Sequence, residues 1–303
     1  MLDSIRSKYV LKQIFANCKV NVCLKLILHN KKYQKRLNIS IIDSILAYNI
    51  IKIEITPVSV LDTPFIDRFP FINIKNDRSN YHIFFNDSKE PINRDYFRKE
   101  DKVSKITVFI DRKIKTLKEL FKDCIYIKEV KVTNCIRDTI YNTSKMFYGC
   151  KSLVKADISK LNTRNVNNMG WMFYFCSSLE EVIISNLNTL NATNMEYMFA
   201  WCVSLKELNL SNLDTKNVIN MESMFSDCSS LSYLNILNFN LSKVINMKYM
   251  FENCKSLNNL VVSDFIIDNK TETQYMFSNC KIETINVIHK LNKNLINFKN
   301  LQL

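Results

Sequence analysis

The chain has 303 residues with a formal net charge of +13, and 47% of it is hydrophobic. That is enough apolar content for two ordinary domains, or one domain beside a repeat array. Only two glycines occur, Gly149 and Gly170, which excludes a Walker loop and a dinucleotide-binding Gly-rich turn. The excess positive charge is concentrated at the start, where residues 1–40 hold nine Lys or Arg against Asp3 alone.

Residues 1–42 read as short helices. Ile5, Tyr9, Val10, Ile14 and Phe15 fall on one helical face, and Val22, Leu24, Leu26, Ile27 and Leu28 form a second apolar stretch. Asp3, Arg6, Lys8 and Lys12 interrupt every early apolar run, so no signal peptide is read. No stretch approaches the ~20 apolar residues of a membrane helix, and the expected location is intracellular, in the cytoplasm. The order Leu11-Lys12-Gln13-Ile14-Phe15, Leu24-Lys25-Leu26 and Asn30 to Leu37 resembles an F-box. That resemblance implies docking on a Skp1-type subunit of a ubiquitin ligase through Ile14, Phe15, Leu24 and Leu26. Binding of nucleic acid by these basic helices is the weaker expectation, because no recognition motif accompanies the charge.

Residues 43–103 hold strand-like runs, Ile50 to Ile55 and Tyr81 to Phe85, punctuated by Pro57, Pro64, Pro70 and Pro91. They predict a small β-containing connector.

From about residue 104 to 290 the chain repeats. Cys124, Cys150, Cys176, Cys202, Cys228, Cys254 and Cys280 recur every 26 residues, accompanied by Met-Phe pairs from Met146-Phe147 to Met276-Phe277. Further columns hold Leu (153, 179, 205, 231, 257) and Asn-Met (168/169, 194/195, 220/221, 246/247). In the coil from Leu205 to Ser230, Leu208 and Leu210 alternate with Glu207, Asn209 and Ser211, the mark of a strand with one buried face. Leu213 and Val218 then carry a turn inward, and Met221, Met224, Phe225, Cys228 and Leu231 follow at helical spacing, which predicts a short closing helix capped by Asn220. One such coil cannot bury its own apolar face, so stacking is required. The fold class expected is an α/β repeat solenoid, a leucine-rich-repeat array of about seven coils whose strands form one parallel sheet ~30 Å across. Lys105 to Ile110 reads as the strand of an atypical first coil, Ile285 to Val287 as the last strand, and residues 291–303 as a helical cap.

The runs Cys-Ser-Ser-Leu-Ser-Tyr-Leu-Asn-Ile at 228–236 and Asn-Leu-Asp-Thr-Lys-Asn-Val-Ile-Asn-Met-Glu-Ser-Met-Phe at 212–225 resemble the BspA-like leucine-rich repeat family. The resemblance implies the repeat fold, and members of that family are typically surface or host-interaction proteins.

Little in the sequence points to catalysis. His29, His82 and His289 fall in three separate segments, and no His-Glu-x-x-His or Cys-x-x-Cys pattern suggests a zinc site. A Ser-His-Asp triad assembles only in space, and nothing in the sequence recommends one. The expectation is no enzyme, no metal and no cofactor. Cysteines projecting in parallel ~4.8 Å apart cannot converge on a metal or face each other as disulfides, so the column reads as buried free thiols. The methionine columns read as core filling and not as a redox or copper site. Trp171, Tyr197, Trp201, Tyr249 and Tyr275 lie beside the Met-Phe pairs, half of them expected in the core and the rest as an aromatic strip on the convex side.

Solenoids bind partners on equivalent strand positions. Here these are Lys155, Asp157, Glu181, Ile183, Glu207, Asn209, Tyr233, Asn235, Asn259 and Val261, whose mixed chemistry suits a protein or peptide. Three readings stand: a non-catalytic scaffold, an F-box-like adaptor and a BspA-like surface adhesin.

Overall fold

The computed structural model describes residues 50–59, 66–74, 78–262, 270–281 and 286–289. The helical segment expected at 1–42, with Ile14, Phe15, Leu24 and Leu26, and the cap expected at 291–303 lie outside the described residues.

The described chain opens with β1 (Ile51–Pro57), which buries Ile51, Ile53 and Ile55 and turns Lys52 and Glu54 outward. Along the connector follow β2 (Phe69–Pro70), β3 (Tyr81–Phe85) and β4 (Tyr96–Phe97), then β5 (Ile106–Ile110) and β6 (Ile127–Asn134). β1 lies between β5 and β6 and is antiparallel to both, with Ile53 opposite Val108 on one side and Val132 on the other. β5 is therefore not the first coil's strand. The alternating Ile106, Val108 and Ile110 fit either role, and the choice is made by β1, whose isoleucines occupy the open edge of β6 that a preceding coil would otherwise cover. β3 completes the antiparallel half by pairing with β5. β2 and β4 pair separately, and Phe69 stacks on Phe97 and meets Tyr126 edge-on.

After β6 the solenoid strands are β7 (Lys155–Asp157), β8 (Glu181–Ile183), β9 (Glu207–Asn209), β10 (Tyr233–Asn235), β11 (Asn259–Val262) and β12 (Asn286–His289). The step from β6 to β11 is 26 residues at each of five turns, Val130 leading through Ala156, Val182, Leu208 and Leu234 to Leu260. The last pair departs from this, with Leu260 opposite Val287. The repeat solenoid expected from the sequence is thus the fold observed. Its sheet is not continuous, however: one sheet runs β3-β5-β1-β6-β7-β8 and another β12-β11-β10-β9, with no ladder between β8 and β9. At that step Val182 is only half-buried, whereas Ala156 and Leu208 are buried, and the Ile184 carbonyl accepts from Asn212 Nδ2 at 2.9 Å.

The second departure concerns the closing segment of each coil. No α-helix occurs among the described residues, and Met221 to Cys228 form successive turns. The N–H groups of Met221, Ser223, Phe225 and Asp227 donate to Asn246, Lys248, Met250 and Glu252 of the next coil. Those of Met224, Ser226 and Cys228 donate three residues back, to Met221, Ser223 and Phe225. A helix would direct its N–H groups along its own axis. Here every second one crosses to the neighbour, which makes this side of the solenoid a second inter-coil ladder. The alternation requires left-handed backbone twice per coil, at Ser223 (φ 51°) and Asp227 (φ 60°) and at the matching positions of other coils. At Gly149 (φ 71°) a Cβ would in addition collide with the Asp123 carboxylate. Turns of this kind bring residues three and four apart to the same side, which is why Met221, Met224, Phe225 and Cys228 carry a helix-like pattern while all are fully buried.

Inside, Phe121, Phe147, Phe173, Phe199, Phe225, Phe251 and Phe277 stack with ring centroids 4.9–6.0 Å apart. The cysteine column beside them is made of free thiols. Each thiol from Cys150 onward donates to the carbonyl of a phenylalanine in the preceding coil, as in Cys228 Sγ to Phe199 O at 3.1 Å. A small, apolar side chain with a weak donor suits that place. Thr163, Thr189 and Thr215 are buried and bond backbone of the next coil, Thr215 Oγ1 donating to Asn240 O at 3.0 Å and accepting from its N–H at 2.7 Å.

The asparagine column joins coils through its side chains. Asn220 Oδ1 accepts from the Glu222 N–H at 3.0 Å, and its Nδ2 donates to Glu196 Oε2 of the preceding coil at 2.9 Å. The expected capping contact is present, but it caps a turn. Asn220→Ala removes both bonds and is expected to lower stability by about 1–2 kcal/mol. The denaturation midpoint checks this, and an unchanged midpoint would mean that the pair contributes nothing. At the first coil Asn73 stands where a preceding turn would: its N–H donates to Leu120 O at 2.7 Å and its Nδ2 to Glu119 O at 3.2 Å.

Candidate interaction surfaces

Nine of the ten residues expected to face outward from the strands do so. Glu181, Glu207 and Asn209 are exposed, and Lys155, Asp157, Ile183, Tyr233, Asn235 and Asn259 are half-buried. Val261 is the correction: it is 9% exposed, in a strand where Leu260 and Val262 are also buried, and it offers no contact surface. Strand alternation places its side chain opposite to theirs, so the burial comes from tertiary packing that alternation does not foresee. Three of the others serve the coil. Asp157, Asn209 and Asn235 accept through Oδ1 from the N–H of Ser159, Ser211 and Leu237 at 3.0–3.1 Å, closing the turn that leaves each strand.

The first sheet carries a concavity of about 480 Å³. β1 contributes Glu54, Ile55 and Thr56, β6 contributes Glu129, Val130 and Lys131, and β7 and β8 contribute Lys155, Asp157 and Ile183, with Ser104 and Lys105 at its side. Its charges alternate across the strands. Lys155 Nζ lies 2.6 Å from Glu181 Oε2, Lys131 Nζ lies 3.8 Å from Asp157, and Glu54 takes Lys52 at 2.7 Å and Lys105 at 3.7 Å. The Lys52 hydrogen bond holds the Glu54 carboxyl below its ordinary range, and the Glu181 hydrogen bond raises the Lys155 ammonium. Lys155, Asp157 and Ile183 are brought together as expected, but Glu54, Lys105, Glu129 and Lys131 were not foreseen as their neighbours. Glu129 and Lys131 sit one coil earlier in the same columns, a signal the repeat does contain. Glu54 and Lys105 arrive through antiparallel pairing of the connector, which no repeat column records. Glu207, Asn209, Tyr233, Asn235 and Asn259 lie on the second sheet, beyond the break.

The turn ladder carries a second surface. Trp171, Tyr197 and Tyr249 are half-buried, and Trp201 and Tyr275 are 41% and 54% exposed, so none of the five is in the core. Three rings that the sequence reading passed over, Tyr148, Tyr174 and Phe175, join them. Tyr148 stacks on Tyr174 (4.9 Å), Trp171 meets Tyr174 (4.8 Å) and stacks on Tyr197 (4.0 Å), and Phe175 meets Trp201 edge-on (5.9 Å). Lys122, Lys145 and Lys151 lie over Tyr148, Trp171 and Phe175 at 5.4, 5.7 and 4.8 Å. Tyr249 and Tyr275 form a separate stack further along (5.3 Å). Four of the clustered rings, Trp171, Phe175, Tyr197 and Trp201, stand on left-handed backbone with φ of 51–63°. For a bulky side chain this costs on the order of 1–2 kcal/mol each relative to glycine.

Among the described residues, no group of three or more His, Cys, Asp or Glu could hold a metal ion, and no helix is long and apolar enough to cross a membrane. Two inter-coil ladders, a stacked phenylalanine core and a 26-residue step define a repeat protein of the β-solenoid class. The chain belongs to the family described as Mycoplasma protein of unknown function, DUF285, whose pattern matches residues 115–208 and again 182–291. No curated protein and no solved structure matches it.

Proposed function

We propose that the protein is a non-catalytic scaffold that holds a polypeptide partner on the sheet face, in the concavity between β1 and β8. The observation that carries this reading is the alternation of charge across that concavity. Glu54, Lys131, Asp157 and Lys155 stand on neighbouring strands with their chains already paired, so little side-chain freedom is lost when a partner with complementary charges arrives. The solenoid itself favours it, since β6, β7 and β8 stack beside β1 into one continuous sheet face. The resemblance to BspA-like repeats adds the proposal that the partner is met at a cell surface. The adaptor reading rests on the F-box-like order of residues 11–37, with Ile14, Phe15, Leu24 and Leu26 as docking positions, and it requires that deleting residues 1–42 abolish recovery of a Skp1-type subunit.

The test for the sheet face is partner capture with Lys155→Glu, Glu181→Lys and the double exchange. The exposed pair contributes little to folding, so each variant is expected to melt within a few degrees of the parent. Both single reversals are expected to weaken capture at least tenfold. The exchange restores the ion pair but inverts its polarity, and is expected to stay defective. Partners retained at parental level by all three variants would remove this face from consideration.

A further inference from the structure

We infer that the aromatic cluster on the turn ladder is a second docking surface, and that its occupant is an acidic segment of a partner polypeptide. The inference is independent of the sheet-face reading, because the two surfaces share no residue.

Three observations converge on it. The first is strain that the fold does not need. In the column of Phe175 and Trp201 the other coils place Asp123, Gly149, Asp227, Asn253 and Asn279, residue types that tolerate left-handed backbone. Two adjacent coils instead carry large rings there, and Trp201 leaves 41% of its surface exposed. A ring kept in a disfavoured conformation and then left in solvent contributes little to packing, which points to a contact outside the chain.

The second is ring orientation. Trp171 and Tyr197 stack on one another at an interplanar angle of 12°, and Tyr148 and Tyr174 at 21°, while Lys122, Lys145 and Lys151 cover further faces. The faces of Tyr148 and Trp171 are thus occupied within the protein. What these two rings leave for a partner is their edges, which carry the positive end of the aromatic quadrupole. Nucleobases dock by stacking on open faces, so Tyr148 and Trp171 are poor platforms for single-stranded nucleic acid.

The third is charge. Lys122, Lys145 and Lys151 lie over the rings of Tyr148, Trp171 and Phe175. Glu196 and Glu222 touch the stack but already have donors: Trp171 Nε1 and Asn220 donate to Glu196, and Tyr197 Oη and Asn246 donate to Glu222. Asp123 follows Lys122 in the first coil of the cluster, and Asp227, one coil beyond Trp201, accepts from Ser226 Oγ and Asn253 Nδ2. Ammonium groups and ring edges together suit carboxylates and backbone carbonyls, the groups an acidic peptide presents.

The test is anisotropy of fluorescein-labelled polyglutamate titrated with the full chain, and with Phe175→Gly and Trp201→Gly. Glycine removes each ring and relieves its backbone, so both variants are expected to melt at or above the parental temperature. Their affinity for polyglutamate is expected to fall at least tenfold. Lys151→Gln is expected to weaken it several-fold, and Lys216→Gln, which lies on neither surface, to leave it unchanged. Undiminished binding by both glycine variants would overturn the inference, since it would mean that polyglutamate senses only the +13 net charge. So would binding of labelled oligothymidylate in preference to polyglutamate, or a marked loss of melting temperature in both glycine variants, which would make the rings part of the core.

Discussion

Above about pH 9 the solenoid is expected to unfold over a narrow pH range. Burial pushes the thiols of Cys124, Cys150, Cys176, Cys202, Cys228 and Cys254 up, that of Cys228 to about 12. In the unfolded chain a cysteine ionises near 8.5. These groups therefore contribute stability that is fully present below the unfolded value. It is lost as the pH rises toward the folded one, because only the unfolded state can release the proton. Each thiol removes about 1.4 kcal/mol per pH unit in that window. Cys280 runs the other way, since the Cys254 thiol bonded to it favours its ionised form. Tyr81, Tyr174 and Tyr197, raised by burial, add to the loss at higher pH. Six thiols ionising together would exhaust the ~5–15 kcal/mol of an ordinary domain within one or two pH units. Urea midpoints at pH 7, 9 and 10 measure the effect, and Cys228→Ala is expected to flatten the slope by about one proton. A midpoint at pH 10 equal to that at pH 7 would sink the idea.

Phe199→Ala is expected to cost about 3–5 kcal/mol. Phe199 is fully buried between Phe173 and Phe225, with centroids 5.4 and 6.0 Å away. The cavity cannot close by moving the coils together, because two hydrogen-bonded ladders fix their separation: Phe199 N–H donates to Met224 O at 2.9 Å, and Asn220 pairs with Asn194 and Asn246. A column of like rings thus resists truncation more than a core of mixed shapes that can repack. Equilibrium denaturation by guanidinium measures the loss, and a shift worth less than ~1 kcal/mol would show that the stack can relax.

The same ladders explain where the sequence reading stopped. Met221, Met224, Phe225 and Cys228 are buried as their spacing requires, yet the backbone joining them is a run of turns and not a helix. Spacing reports which side chains point inward and is silent on where an N–H group goes. Ser223 and Asp227 hold the missing clue, left-handed positions four apart, but Lys145, Trp171 and Tyr197 in the same column conceal it. Lys105 to Ile110 shows a similar ambiguity, since alternation identifies β5 as a strand without naming its neighbour. For the surfaces, Lys155, Asp157 and Ile183 follow from the repeat, whereas Glu54 reaches them only because β1 inserts beside β6.

The sequence by itself determined the 26-residue step, the inward columns of Leu, Met, Phe and Cys, and the outward strand positions, because a repeated core must be rebuilt identically in every coil. The tertiary structure alone decided how the first coil is capped, where the sheet breaks between β8 and β9, and which rings of the turn ladder meet. Those features depend on contacts between coils and with the connector, and such contacts are written in no single repeat. They arise where neighbouring coils differ, as when Phe175 and Trp201 take positions that Gly149 and Asp227 fill in adjoining turns.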